Sequence, residues 1–273
     1  MEPTAGLITN IGLDHCAWLG NDIESIAFEK AGIMRPGKPV VFGSRERPEA
    51  IGRHAADIGA RLLAAGRDYD WELTGDSWAW RGAEHALEGL QRPVLIGDHQ
   101  VANAAGVLAL LEAAGFADLL KPGRINDALA GVRLDGRMQR LDSDPRWLFD
   151  VAHNPAGAVA LAATLRADPA PGRTIAILGL LEDKDMAGVL APLVPVVDHW
   201  IAVTADSPRA VPAEAIARQV AGMTGGECTV ASTIAAAIEA TTTLAAAEDR
   251  ILVTGSFYLV GPIISELYSR RTQ

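Results

Sequence analysis

Cysteine is nearly missing from this sequence: Cys16 and Cys228 are the only two, and they lie far apart in the chain. That excludes a disulfide framework and a thiolate zinc site, and it points to the reducing cytoplasm. Runs of positive charge are missing too. The formal net charge is −10, which argues against nucleic acid or an anionic membrane as the main partner. No apolar stretch reaches the roughly 18 residues of a membrane span. The opening "MEPTAGLITN" lacks the cationic region and long apolar core of a signal peptide. A phosphate-binding loop is absent as well. "GIMRPGKP", Gly32 to Pro39, imitates the first half of one, but Pro39 stands where the metal-binding hydroxyl belongs. The segment also leaves a helix and enters a strand, so no helix N-terminus points at it.

What is present is a globular chain of 273 residues, 49% hydrophobic and 21% charged, long enough for one large or two ordinary domains. The apolar run of Leu7, Ile8 and Ile11 reads as a fully buried strand, and buried parallel strands need neighbours on both sides. A chain that opens on such a strand is expected to lack the beginning of its domain. Asn21 or Asp22 caps a helix to Ala31, with Gly32 as its stop. "PVVFG" and "RLLAAG" read as strands around the helix "PEAIGRHAADIGA". "DYDWELTGDSWAWRG" alternates like a hairpin, and Asp98 is expected to cap the long helix "HQVANAAGVLALLEAAG". A short helix near "INDALAG" leads to "RLDGRMQRL", a loop-like crossing.

Beyond Arg137 the pattern becomes regular. "RWLFDVA", "TIAILGL", "HWIAVTA", "CTVAS" and "ILVTGSF" are apolar runs separated by helical stretches. This alternation predicts an α/β fold with a doubly wound parallel sheet and helices on both faces. The domain boundary is placed there, giving 1–136 and 137–273.

Three stretches carry ionisable residues where strands give way to other structure. "TNIGLDHCAWLG" ends a strand in Asp14 and His15. Lys30 shares a helix face with Ile23, Ile26 and Ala27; it is either a snorkelling surface lysine or a buried amine open to chemical modification. "FDVAHNP" puts Asp150 and His153 at the carboxyl end of a parallel strand, where α/β sheets bind ligands, and Pro155 suits a first helical turn. Asp150 there is either a helix cap or a ligand-binding carboxylate.

In order, "ITNIGLDHCAWLGNDIESIAFEKAGIMRPGKPVV", "GDHQVANAAGVLAL", "LDGRMQRL", "FDVAHNPAGA" and "VTGSFYLVG" give the chain its family likeness. It resembles the folylpolyglutamate synthases, often bifunctional with dihydrofolate synthase and grouped with the Mur ligases. The resemblance implies the rest of an ATP-binding central domain (1–136), without the N-terminal part that holds the family's P-loop, and a Rossmann-like ligase domain (137–273). It implies ATP and Mg2+ as cofactors, folate or dihydropteroate and L-glutamate as substrates, and a monomer when intact. By the same likeness His15 binds magnesium and Lys30 is carbamylated beside a second metal. Asn103 reads adenine, Arg137 contacts phosphate, and Asp150 holds the ribose hydroxyls. His153 and Ser256 lie near the incoming glutamate, with Tyr258 in the same loop. The activity implied is addition of glutamate through an acyl phosphate, lost in this chain by itself. The alternatives are another Mur-type amino-acid ligase, since "AHNP" also occurs in peptidoglycan ligases, and a non-catalytic nucleotide-binding remnant.

Overall fold

Asp22 starts the first described helix by the mechanism its side chain suggests. Its carboxylate accepts the Ser25 amide at 2.9 Å, and α1 (Ile23–Ala31) runs from there to Gly32. The computed structural model describes residues 2–12 and 22–270, so His15, Cys16 and Asn21 lie outside the described residues. The chain divides into two compact units, Met1–Arg133 and Leu134–Gln273.

In the first unit, β1 (Gly6–Ile8), β2 (Pro39–Phe42) and β3 (Arg61–Ala64) pair in parallel in that order. Val40 and Phe42 face α1 and α2 (Glu49–Ile58) through Ala27, Ala31, Ile51 and Ala55. Val41 faces the other way, toward Val101, Ala105 and Leu108 of α3 (Asp98–Ala113). A residue-by-residue alternation between two helix-covered faces is what a parallel strand requires. Glu24 of α1 fastens its neighbour, its two carboxylate oxygens accepting the Glu49 and Ala50 amides at 2.9 and 2.7 Å at the start of α2. Among the described strands β1 is an edge, with Ile8 buried and Leu7 half-buried, so it is not the fully buried strand its composition suggests. "GIMRPGKP" joins α1 to β2, the order that rules out a phosphate loop.

A second, antiparallel sheet of β4 (Asp70–Thr74), β5 (Ser77–Arg81) and β6 (Ala86–Gln91) comes next in the chain. Trp78 and Trp80 bury themselves against Leu87 and Leu90, and the Trp80 indole N–H donates to the Ala105 carbonyl of α3 at 3.1 Å. The hairpin alternation of β4 and β5 is as expected; β6 is an addition to it. Glu112 of α3 holds the β5–β6 turn, its carboxylate accepting the Ala83, Glu84 and His85 amides at 2.8, 3.1 and 2.9 Å. Asp98 does not cap α3. It is the first helical residue, after Gly97, and its carboxylate is taken by Arg92 at 2.6 Å. Helix α4 (Pro122–Gly131) closes the unit.

The second unit is the doubly wound sheet that the apolar runs predict. Its strands are β7 (Gln139–Leu141), β8 (Asp144–Asp150), β9 (Thr174–Leu178), β10 (His199–Val203), β11 (Cys228–Ala231) and β12 (Arg250–Thr254). They lie in the order β11-β10-β9-β12-β8-β7, parallel except for β7 at the edge. "RLDGRMQRL" is therefore a crossing that ends in a short antiparallel strand. Leu148, Ala176, Leu178 and Leu252 face α5 (Pro155–Ala167), α6 (Met186–Leu193) and α7 (Ala213–Thr224). Phe149, Ile177, Ile201 and Val253 face α8 (Ile234–Leu244) and α9 (Phe257–Ser269). Because β12 returns between β8 and β9, the connections leave in opposite directions there. That is a topological switch point, with its crevice at the carboxyl ends of the strands.

The amino edge of this sheet is closed by Asp249, whose carboxylate accepts the Arg173 amide at 2.7 Å, the Arg173 guanidinium at 2.8 Å and the Ala246 amide at 3.0 Å. The Arg173 hydrogen bond, outweighing burial, holds the carboxyl at about 2, below the usual carboxylate range. A carboxyl lowered on folding adds stability that is present above its unfolded pKa, near 4, and is lost as pH falls through its folded value. Asp249→Asn should cost about 1–3 kcal/mol at neutral pH, and melting curves of the two proteins should converge between about pH 4 and 2.

Candidate active site at the carboxyl edge of the second sheet

Register aligns three strand ends. Asp150 of β8 pairs opposite Thr254 of β12, and Thr254 opposite Leu178 of β9. The segments that leave these strands therefore meet at one edge. Past β12 the backbones close in so far that a Cβ on Gly255, whose φ is 108°, would lie 2.5 Å from the Gly179 carbonyl oxygen. Only glycine fits there.

Asp150 is not a helix cap. Asn154 caps α5 by accepting the Gly157 amide at 2.8 Å, with Pro155 in the first turn. The Asp150 carboxylate instead binds two backbone amides from different segments, Ala152 at 2.9 Å and Met138 at 3.1 Å. It ties the loop before β7 to the turn after β8. That loop is unusual: Gly136 has φ 68° and Met138 has φ 48°, the one left-handed non-glycine residue among those described. The Gly136 carbonyl accepts the Val151 amide at 2.9 Å, so the two segments are laced on both sides of Arg137.

Arg137 thereby stands at the strand end, its guanidinium 5.7 Å from the centre of the Phe257 ring. The His153 ring is 6.4 Å from the same ring, and its Nδ1–H donates to the Val151 carbonyl at 2.8 Å. Phe257 is 56% exposed. Sequence reasoning passed over it in favour of its neighbours, although an aromatic opening a helix after a sheet strand is a signal of a recognition surface. Ser256 is buried, and its hydroxyl accepts the Tyr258 amide at 3.1 Å as the cap of α9. The Tyr258 side chain is exposed, and its carbonyl accepts the Asp206 amide at 3.1 Å. Thus Arg137, Asp150, His153, Ser256 and Tyr258 gather at one edge.

The first unit's candidates stand differently. Asn103 is half-buried on α3, its amide donating to Gln100 at 3.2 Å. Lys30 is exposed, as the snorkelling alternative has it, and not the buried amine that the family likeness implies. Ile26 and Ala27 fill the centre of that face, while Ile23 and Lys30, one turn to either side, run past the described packing partners. His15 lies outside the described residues. Among the described residues no group of three or more His, Cys, Asp or Glu side chains could hold a metal ion. The described residues thus do not themselves make the magnesium site the resemblance implies.

An acid, an imidazole and a guanidinium gather at the switch point of this sheet, and residues 136–257 match the family "Mur ligase, glutamate ligase domain". Within that class the chain is homologous along its whole length to folylpolyglutamate synthase/dihydrofolate synthases. It is 38% identical over 272 residues to the dihydrofolate synthase/folylpolyglutamate synthase of Escherichia coli, covering 100% of this chain and 62% of that protein. The Mycobacterium tuberculosis counterpart is 36% identical over 229 residues, 77% of this chain and 46% of that one. The solved structure of E. coli FolC in complex with DHPP and ADP superposes with a TM-score of 0.90 at 38% identity, over 99% of this chain and 63% of that one. A bifunctional synthase structure with Mn, AMPPNP and L-glutamate bound gives a TM-score of 0.87 at 34% identity, covering 98% of this chain and 62% of that one. The chain thus spans about 62% of the length of the E. coli relative.

Gly136→Ala tests the lacing. Its Cβ would lie 2.8 Å from Val151 Cγ1 at a left-handed φ. The substitution should cost about 1–3 kcal/mol and speed hydrogen exchange at the Met138 amide, measured by melting and by NMR.

Proposed function

We propose that this chain works as an ATP-dependent ligase that joins L-glutamate to folate, and to dihydropteroate, through an acyl phosphate. The observation that carries the reading is the Asp150 knot beside Arg137 and His153 at the switch point, in a chain similar along its whole length to such synthases. Those relatives' solved structures hold ADP, DHPP, or AMPPNP with Mn and glutamate, which supports a nucleotide, a divalent metal and the two substrates here. The 38% identity to a folate enzyme favours this branch over other Mur-type ligases.

The chemistry needs a folate carboxylate oxygen to attack the γ-phosphorus of ATP and release ADP. The glutamate amine then attacks the acyl carbon, phosphate leaves, and the amine gives up a proton. Arg137 balances charge on phosphoryl oxygens, as a fixed guanidinium does in phosphoryl transfer. The Asp150 carboxylate, fixed at this edge, is the acceptor for the ribose hydroxyls. His153 stands on the side of the edge assigned to the incoming amine. Asn103, in the first unit, keeps the adenine-reading role. Magnesium would balance phosphate charge when bound. The cytoplasm suits an enzyme that consumes ATP, and among the described residues no helix is long and apolar enough to cross a membrane.

The assay is ATP-dependent incorporation of labelled L-glutamate into tetrahydrofolate and dihydropteroate, with a UDP-sugar peptide as comparison. It is run on residues 1–273 alone and with a P-loop-bearing fragment of a relative added. Incorporation into the folates only, and only with the fragment, is expected; preference for the UDP-sugar peptide would refute the folate assignment. Asp150→Asn removes one of the two acceptor oxygens, so ADP should bind about tenfold or more weakly by calorimetry while the melting temperature falls only modestly. Unchanged affinity with lowered stability would reduce Asp150 to a structural tie.

A further inference from the structure

Five arginines fall between residues 45 and 67 of a chain whose net charge is −10. Two are occupied: Arg45 is paired with Asp70 at 2.7 Å, and Arg61 donates to the Ala113 carbonyl. The other three, Arg47, Arg53 and Arg67, line one cleft of about 410 Å³ between α2 and β3. Its floor is apolar, made by Ala55, Ala56, Ala60 and Leu62. Ala55 and Leu62 pack into the core on the α2 face of the first sheet, the face away from α3 and Asn103.

Gly52 seats one of the guanidiniums. A Cβ there would lie 2.9 Å from Arg47 Cζ, so the missing side chain is what lets Arg47 lie along α2. Arg67 is turned to Asp68, donating through Nε and Nη2 at 3.0 and 2.7 Å. Burial raises the Asp68 carboxyl, but the Arg67 and Ala64 hydrogen bonds and the charges of Arg67 and Arg47 outweigh it and hold it low. Among the described residues Arg53 pairs with no carboxylate, and Glu49 is the acid that lines the cleft itself. Three guanidiniums thus face two carboxylates, with Arg53 left over. The amides that open α2 are taken by Glu24, so the positive charge is that of side chains alone. Guanidinium forks take phosphate or carboxylate oxygens two at a time. An inorganic ion would fill little of the cleft and leave its apolar floor unused. We propose that this cleft binds a small organic anion with two or more negative charges on an apolar body, a phosphate ester or a polycarboxylate. The inference does not rest on the proposed ligase function.

The test is NMR titration of residues 1–273 with phenyl phosphate, isophthalate and inorganic phosphate, read at the amides of Gly52, Arg53, Ala56 and Ala60. Saturable shifts there with an organic dianion, about tenfold tighter than with inorganic phosphate, are expected. Preference for phenyl phosphate would identify a phosphate ester as the ligand class, and preference for isophthalate a polycarboxylate. Arg53→Ala should weaken the tighter probe about tenfold or more. Gly52→Ala should weaken it too, by pushing Arg47 aside, while the melting temperature holds or rises, because alanine suits a helix interior better than glycine. Wild-type affinity in Arg53→Ala would overturn the proposal, as would shifts confined to Arg137 and its neighbours. Equal, weak binding of all three probes would mean an adventitious ion only and overturns it as well. So would lost binding with a lowered melting temperature in both variants, since the arginines would then be structural.

Discussion

The Asp150 carboxylate is the interaction on which the rest of the second unit's edge depends. It accepts one amide from the loop before β7 and another from the turn after β8. A single buried or half-buried carboxylate with two N–H donors is a strong, directional tie, each bond charge-assisted. The left-handed backbone at Met138 costs energy, and it persists because this tie and the Gly136–Val151 bond over-determine the loop. Arg137 sits between the left-handed residues Gly136 and Met138, so the position of its backbone at the edge is fixed.

The sheet supplies the second half of the arrangement. Registering Asp150, Thr254 and Leu178 brings three connections to one line, and glycine at 255 lets the backbones approach closely enough to share it. The helices behind this edge are held by apolar faces that are entirely buried, such as Leu161 and Leu190 on one side and Leu259 and Ile263 on the other. The edge can therefore carry exposed Phe257, half-buried Arg137 and half-buried His153 without the core yielding.

How much of this was legible in the sequence depends on the range of the interactions. The strands of the second unit were plain, because each is an apolar run with punctuation at both ends, and the fold class comes from their alternation with helices. The Asp22 and Pro155 helix starts are local signals and read correctly. Strand β6 was missed because a bulge between Trp78 and Trp80 shifts its register, so Leu87 and Leu90, three apart, both face inward and no period of two survives. Asp98 misled because its carboxylate goes to Arg92, a contact no capping rule contains. Lys30 stayed open between two alternatives because a shared helix face says which residues lie together and not how far the covering surface extends. The roles at the edge were reached by family likeness; the means, an aspartate joined to Met138 twelve residues earlier in the chain, was not visible until the backbone was folded.

The central claim is that the Asp150-laced edge is where this protein meets a nucleotide. NMR titration of residues 1–273 with ADP tests it most directly. The account predicts that shifts and added exchange protection concentrate at Arg137, Met138, Asp150 to His153 and Gly255 to Tyr258. Saturable ADP binding that leaves those amides unmoved, or no binding by an otherwise folded protein, would contradict it.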